Sequence, residues 1–489
     1  MKPNVTDIVE VARNIFGGIL SPFQYKDYVF SVLFLKYVTE KGKYDSSWRD
    51  IVITEEITFN YLWEKRKSDN LGYLMNNVFS QLKELNQMAK DPFFSNTDFE
   101  SSTLGTLTER NRRLYHLILF FHELIFVDDW GDTVDISGLF LNLLDVFANE
   151  VLKNTNGFYT PQDIVTLMVQ LTDGESNMTV CDPTCGTASL LIGLGKNLKC
   201  NGMNLYGQEI VRSTCSIASM NLLLNGFRNY NLCWGDTIRN PMTQDENRLL
   251  QFDRVVSVLP FGLTKWGAED ICSTFDSRFV YGIPPKSRGD WAFISHMLAI
   301  AKEDTGKVIV VVPAGALFRR SSEEKIRRRV VENNLLEAVI ALPENLFYGT
   351  TVATAVLIFN KRKEHSHSLF IDARQDFEKL KKRNRLSLDT IHHIVSVYNL
   401  FLNTPEFTGV LENQYAYVST IDEILEKEAT FLISEYVKKE KVKPVIDVPR
   451  LKSEISSLET EFFKINRQIE SYYLQLEKIQ ENHKGGNYE

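Results

Sequence analysis

Between Ile8 and about Glu150, apolar residues recur at three- and four-residue steps, as in Tyr28, Val32, Leu35 and Val38, with few glycines among them. Such spacing places the apolar side chains on one stripe of a helix. The pattern predicts a helical N-terminal domain over residues 1–150. Past Asn156 the text changes to short β-rich runs, each closed by a turn and followed by a helical pattern: Thr179-Val180-Cys181, Asn204-Leu205-Tyr206-Gly207, Asp253 to Leu259, and Lys307 to Val312. Strands alternating with helices imply a parallel sheet covered on both faces, so residues 151–440 are expected to form an α/β domain. From Pro444 onward a third pattern begins, with apolar residues at 448, 451, 455, 458, 462, 465, 469, 472, 476 and 479. This alternation of three and four predicts a coiled-coil helix, and the tail over 441–489 is expected to dock on a partner. The competing reading is a helix packed on its own domain. Residues Gly485 to Glu489 are expected to be disordered.

Composition narrows the class. With 489 residues, 44% hydrophobic and 24% charged, the chain is of ordinary globular make-up and long enough for two or three domains. A formal net charge of -8 argues against nucleic-acid binding through bulk charge, so any DNA contact must be locally patterned. The six cysteines, Cys181, Cys185, Cys200, Cys215, Cys233 and Cys272, show neither CxxC pairing nor histidines at zinc-ligand spacing, and are read as reduced, mostly buried thiols with no metal. The N-terminus lacks a signal-peptide pattern, and the longest apolar run, around Val308 to Phe318, is too short for a membrane helix; a cytoplasmic location is expected.

The strongest local signal is Asp182-Pro183-Thr184-Cys185-Gly186-Thr187-Ala188, which follows an apolar strand and opens a helical run near Ser189. Strand, tight turn and helix start form the cofactor cradle of doubly wound folds, where exposed backbone N–H groups can bind a carboxylate. Downstream, Tyr206-Gly207-Gln208-Glu209 puts an acid at the end of the second strand, suited to two ribose hydroxyls. Gly235-Asp236 ends a third, where a carboxylate can accept from an adenine amine. Taken singly, an acid at a strand end is more often a helix cap or a salt-bridge member; the ordered series is what carries the reading.

These residues resemble the adenine-N6 DNA methyltransferases, and specifically the methylation subunits of type I restriction-modification systems. Gly157-Phe158-Tyr159-Thr160-Pro161 is similar to the family's upstream cofactor motif, and Tyr25-Lys26-Asp27-Tyr28, Asp290-Trp291-Ala292-Phe293, Leu342 to Phe347 and Leu432 to Val437 look like further blocks of it, so the resemblance covers nearly the whole chain. It implies an S-adenosylmethionine-dependent, Rossmann-like methyltransferase domain behind a helical domain. By resemblance, Phe158, Thr160 and Asp182, Pro183, Thr184, Cys185, Gly186 and Thr187 contact the cofactor's methionine part, Glu209 the ribose and Asp236 the adenine.

The sequence departs from that pattern at the catalytic tetrapeptide. Where the family has asparagine, proline, proline and an aromatic residue, this chain reads Val258-Leu259-Pro260-Phe261. In the family reaction the adenine is flipped out and its amine donates to the asparagine oxygen and to a neighbouring backbone carbonyl, while the aromatic ring stacks on the base. Valine offers no acceptor; the Leu259 carbonyl and the Phe261 ring are retained. A second departure is Ala188 in place of a glycine, tolerable at negative φ and unfavourable otherwise, which bears on cofactor binding. A third is Ala314 in place of asparagine.

Arg319-Arg320 and Lys325 to Arg329 make a basic cluster that either meets DNA phosphates or forms a solvated helix face balanced by Glu323 and Glu324. No long insertion follows Phe261 up to Lys361, so target recognition must reside in another subunit. The resemblance implies double-stranded DNA and a specificity subunit as partners, with a restriction subunit or a second methylation subunit as further candidates and no membrane. Two functions follow: an active methylation subunit with an unusual tetrapeptide, or a catalytically inactive pseudo-methyltransferase that clamps DNA or regulates an active subunit. A dinucleotide-dependent oxidoreductase is disfavoured because the turn lacks the G-x-G-x-x-G series.

Overall fold

The second helix sets the plan of the N-terminal region. A computed structural model describes residues 1–44, 51–86, 94, 97–127, 134–151, 159–199, 204–245, 248–271, 276–438 and 448–484. Six helices come first: α1 (Val5–Phe16), α2 (Pro22–Tyr44), α3 (Phe59–Glu64), α4 (Leu71–Leu85), α5 (Leu107–Glu123) and α6 (Ile136–Val151). α2 opens on proline, whose fixed φ suits a first helical position, and is buried without a break from Tyr28 to Thr39. A helix buried on every side belongs at a centre, and α1, α3, α5 and α6 pack against it. Phe30 meets Phe140 and Phe147 of α6 at centroid distances of 4.5 and 5.6 Å. The Asn4 side chain caps α1, and Thr106 with Glu109 forms a capping box on α5.

Next come α7 (Gln162–Leu171), β1 (Val180–Asp182), α8 (Ser189–Asn197), β2 (Leu205–Glu209), α9 (Arg212–Leu224), β3 (Asn231–Trp234), a hairpin of β4 (Thr243–Asp245) and β5 (Arg248–Leu249), and β6 (Arg254–Val258). Then follow α10 (Asp290–Ile300), β7 (Lys307–Pro313), α11 (Ser322–Glu332), β8 (Leu336–Ala341), β9 (Thr354–Asn360) and β10 (His367–Asp372). A hairpin of β11 (Glu378–Lys379) and β12 (Asn384–Arg385), then α12 (Leu388–Asn403), β13 (Gly409–Leu411), β14 (Ala416–Thr420) and α13 (Ile421–Glu426) complete the series before α14 (Val448–Lys484).

Ten strands form one sheet in the order β13-β14-β10-β8-β9-β7-β6-β1-β2-β3. β3, β2, β1, β6 and β7 run parallel, whereas β9 lies antiparallel between β7 and β8. Strand alternation divides the core. Val256, Val258, Ile309 and Val311 face a layer that includes α7, α8 and α12, while Val255, Val308, Val310 and Val312 face α10 and α11. Helices on both faces of a sheet, behind a helical region, match the expectation from the alternating pattern; the sheet itself is mixed where a parallel one was expected, with β9 and β14 antiparallel to their neighbours.

The N-terminal helices have their own core, and Ile217, Met220, Leu223 and Leu224 of α9 belong to it. Residues 1–438 accordingly pack as one compact unit, with 439–489 a second. In that second unit α14 is a single helix whose heptad positions Leu451, Ile455, Leu458, Phe462, Ile465, Ile469 and Tyr472 are exposed. The expected disorder of Gly485 to Glu489 lies outside the described residues. Among the described residues no helix is long and apolar enough to cross a membrane. Cys181, Cys185 and Cys215 are buried free thiols and Cys233 is partly buried, while Cys200 and Cys272 lie outside the described residues.

Candidate functional site

At the C-terminal ends of β1, β2, β3 and β6, where the sheet order turns back on itself, a cavity of about 460 Å³ opens. Pro183 to Thr187 wrap one side of it. The turn is held by bonds to neighbouring elements: Cys185 N–H donates to the Gln208 carbonyl at 2.9 Å, the Thr237 hydroxyl donates to the Pro183 carbonyl at 2.7 Å, and the Asn221 amide donates to the Thr187 carbonyl at 2.8 Å. Gly186 takes φ 54°, a left-handed conformation that glycine adopts freely. Ala188 also takes a left-handed conformation, φ 62° and ψ 15°, and is fully buried. The unfavourable branch of the sequence expectation therefore holds at this position.

The carboxylates are held by backbone N–H groups. Asp182 Oδ1 accepts from Thr184 N–H at 3.0 Å and from the Ser257 hydroxyl at 2.8 Å, and burial pushes its carboxyl up to about 7. Glu209 accepts from Gly186 N–H at 3.1 Å and Val211 N–H at 2.7 Å, with burial raising it above the usual carboxylate range. Asp236 accepts from Ile238 N–H at 2.9 Å and pairs with Arg239 at 2.8 Å, and Arg239 reaches on to Asp270 at 2.6 Å. Asp236 thus serves as a turn cap and salt-bridge member while lining the cavity.

The degenerate tetrapeptide closes the other side. Val258 ends β6 and lines the cavity at 9% exposure; its carbonyl accepts from the Thr184 hydroxyl at 3.3 Å. Pro260 and Phe261 line the cavity, and the Phe261 ring stands edge-on to Phe347 at 5.0 Å. Leu259 is fully buried, its N–H donating to the Val311 carbonyl at 3.2 Å, and it is not among the lining residues.

Of the residues singled out in the sequence, Thr160, Asp182, Pro183, Thr184, Cys185, Gly186, Thr187, Glu209, Asp236, Val258, Pro260 and Phe261 meet around this cavity. Phe158 lies outside the described residues. Tyr159 both lines the cavity and belongs to the N-terminal core. Ala314 opens the turn after β7 and is absent from the lining, so the third departure falls away from the cleft. The basic cluster divides. Arg319 pairs with Asp290 at 2.5 Å and Glu323 at 2.7 Å, and Arg327 is buried, donating to the carbonyls of Ala429 and Arg319, both at 2.8 Å. These two arginines tie α11 to its surroundings, while Arg320, Lys325 and Arg329 are exposed.

Sequence reasoning missed the wall that the N-terminal helices supply, including Phe23, Lys26, Leu144 and Phe147. One signal was present: a lysine beside the long apolar stretch of α2, in a position where a buried charge requires a purpose.

The sequence profile described as N-6 DNA Methylase matches residues 134–444, and that described as HsdM N-terminal domain matches residues 6–121. The chain is 31% identical over 418 residues to the type I restriction enzyme MjaVII methylase subunit of Methanocaldococcus jannaschii, spanning 82% of this chain and 69% of that one. It is 28% identical over 421 residues to the MpnII methylase subunit of Mycoplasma pneumoniae, spanning 81% and 75%. Among solved structures, the methyltransferase subunit of a type I restriction-modification system from Streptococcus thermophilus superposes with a TM-score of 0.76 at 25% identity, over 89% of this chain and 100% of that one.

Proposed function

This chain belongs to the N-6 DNA methylase family, as a methylation subunit of the type I restriction-modification kind, and from that premise we propose that it binds S-adenosylmethionine but is disabled in methyl transfer. The observation that carries the proposal is Val258, an apolar side chain at the strand end where the reacting amine must find an acceptor, beside an otherwise assembled cavity.

The residues present fit the cofactor. A volume of about 460 Å³ lies within the range of small-molecule sites, roughly 300–1,000 Å³. Gly186, Glu209 and Asp236 all line it; in this reading Gly186 leaves the turn backbone uncovered by a side chain, Glu209 accepts from the ribose hydroxyls and Asp236 from the adenine amine. When bound, S-adenosylmethionine supplies an electrophilic methyl group. Phe261, braced by Phe347, offers a face for a flipped adenine. The amine of that base meets a valine side chain at Val258, whose own carbonyl already accepts from Thr184. A half-satisfied buried amine costs about 1–3 kcal/mol, and losing one transition-state hydrogen bond lowers the rate by about 10²- to 10³-fold.

The resulting protein is a cofactor-loaded partner in a larger assembly: it presents DNA with a methyltransferase surface, takes sequence specificity from a separate subunit docked on α14, and pairs with an active methylation subunit or a restriction subunit. Calorimetric titration of S-adenosylmethionine into the natural chain and Val258→Asn, followed by methyl-transfer assays on DNA with the specificity partner, tests this. Binding by both with transfer by Val258→Asn alone is expected. Transfer by the natural chain at a comparable rate would show an active subunit with a dispensable asparagine.

A further inference from the structure

One wall of the cavity comes from outside the sheet. Phe23 and Lys26 of α2 and Leu144 and Phe147 of α6 line it together with Tyr159 and Ser189. Aromatic contacts lock these helices to each other, with Tyr25 edge-on to Phe147 at 5.9 Å. Tyr159 connects the wall to the cofactor turn: its hydroxyl donates to the Leu141 carbonyl of α6 at 3.5 Å, and it lies against the Ser189 hydroxyl, one residue past Ala188. The helical wall therefore abuts the start of α8, where the cofactor turn ends.

Lys26 is 7% exposed, its Nζ is 2.6 Å from Asp27 Oδ1, and it sits 4.5 Å from the centroid of the Phe23 ring. Withdrawing an ammonium from water is unfavourable and is offset only by close partners. The charges around it give it a use. The described lining carries three carboxylates, Asp182, Glu209 and Asp236, and three cations, Lys26, Arg239 and Lys265. Arg239 is held between Asp236 and Asp270, and Lys265 is exposed on the loop after Phe261. An amino-acid carboxylate entering beside the turn joins three existing carboxylates, and Lys26 is the cation on that wall.

We propose that Lys26 is a binding residue for the carboxylate at the methionine end of S-adenosylmethionine, so that the N-terminal helices complete the cofactor site, with Asp27 as the internal counter-ion that competes for the same ammonium. The proposal rests on the cavity being the cofactor site. It distinguishes two ligands: S-adenosylmethionine carries the carboxylate, whereas 5′-methylthioadenosine keeps the adenosine and sulfur and lacks the amino-acid end.

The test is calorimetric titration of both ligands into the full chain, Lys26→Met and Asp27→Asn, with thermal melts as a folding control. Lys26→Met keeps most of the hydrocarbon stem and is expected to lose about 10- to 100-fold in affinity for S-adenosylmethionine, the worth of a charged hydrogen bond, while 5′-methylthioadenosine binds as before. Asp27→Asn is expected to bind S-adenosylmethionine more tightly, again with 5′-methylthioadenosine unchanged. Equal losses for both ligands, or none for either, overturn the role of Lys26 and leave the cofactor site standing. Failure of the natural chain to bind either ligand overturns the cofactor site and this proposal together. Should Lys26→Met fail to fold, Asp27→Asn decides: a gain confined to S-adenosylmethionine supports the proposal, and any other result refutes it.

Discussion

Two single-residue departures, Val258 in the cavity lining and Ala188 buried behind the turn, act on different quantities. In the proposed function Val258 takes a hydrogen-bond acceptor away from the place where charge develops, and so bears on rate. Ala188 adds one methyl group to a backbone position at φ 62°, where an L side chain crowds its own carbonyl, and so bears on stability. The turn keeps its shape despite this: Ala188 N–H donates to the Cys185 carbonyl at 2.8 Å, and Gly186 N–H still reaches Glu209. The surrounding bonds hold an unfavourable conformation that costs about 1 kcal/mol. Ala188→Gly is therefore expected to stabilise the fold by about 1 kcal/mol with S-adenosylmethionine affinity kept or improved. Urea denaturation midpoints measure this, and an unchanged or lower midpoint for the variant contradicts it.

Among elements, α7 matters for what precedes it. Tyr159, Thr160 and Pro161 lead into this helix, whose first turn carries Asp163. That carboxylate accepts from two nitrogens of Arg383, at 2.9 and 3.1 Å, and from Leu386 N–H at 2.9 Å, all three residues being buried. The pair staples the start of α7 to the segment that enters α12, and so positions the Tyr159 side of the cavity. Asp163→Ala leaves a buried guanidinium without its carboxylate partner, with the carbonyls of Leu346 and Asn384 left to accept from it, and is expected to cost about 3–5 kcal/mol. A loss well under 1 kcal/mol in a denaturant titration contradicts this role.

Contacts of this sort mark the limit of what the sequence discloses. The turn from Asp182 to Thr187, Glu209 and Asp236 were legible because each sits where a strand runs out, a local event with a local signature. The buried stretch of α2 and the heptads of α14 were legible as periodicity. Asp163 and Arg383 stand 220 positions apart, and nothing near either names the other. The same holds for Lys26 and Phe147, brought to the cavity by packing between helices. The place of β9 between β7 and β8 was also hidden, since an apolar strand buried on both faces reads alike in any order.

At the scale of the whole molecule the chain divides at residue 438. The three hydrophobic clusters draw their described members from residues 5–437, and the described cavity lining ends at Phe293. A chain ending at Lys438 is accordingly expected to keep its melting temperature and its S-adenosylmethionine affinity while losing assembly with a specificity partner. Calorimetry and size-exclusion chromatography with that partner measure both halves. A large fall in melting temperature would show that the tail stabilises the body.

The sheet order also governs how this chain is made. β7 pairs along its whole length with β9, Lys307 facing Asn360 and Pro313 facing Thr354, yet β8 leaves the ribosome between them. For that interval β7 offers an apolar edge, and β8, delivered across α11, is a ready parallel neighbour for it. The finished protein reserves that place for a strand not yet synthesised. Any pause after β8 has emerged and before β9 has therefore lengthens the time in which the wrong neighbour can settle.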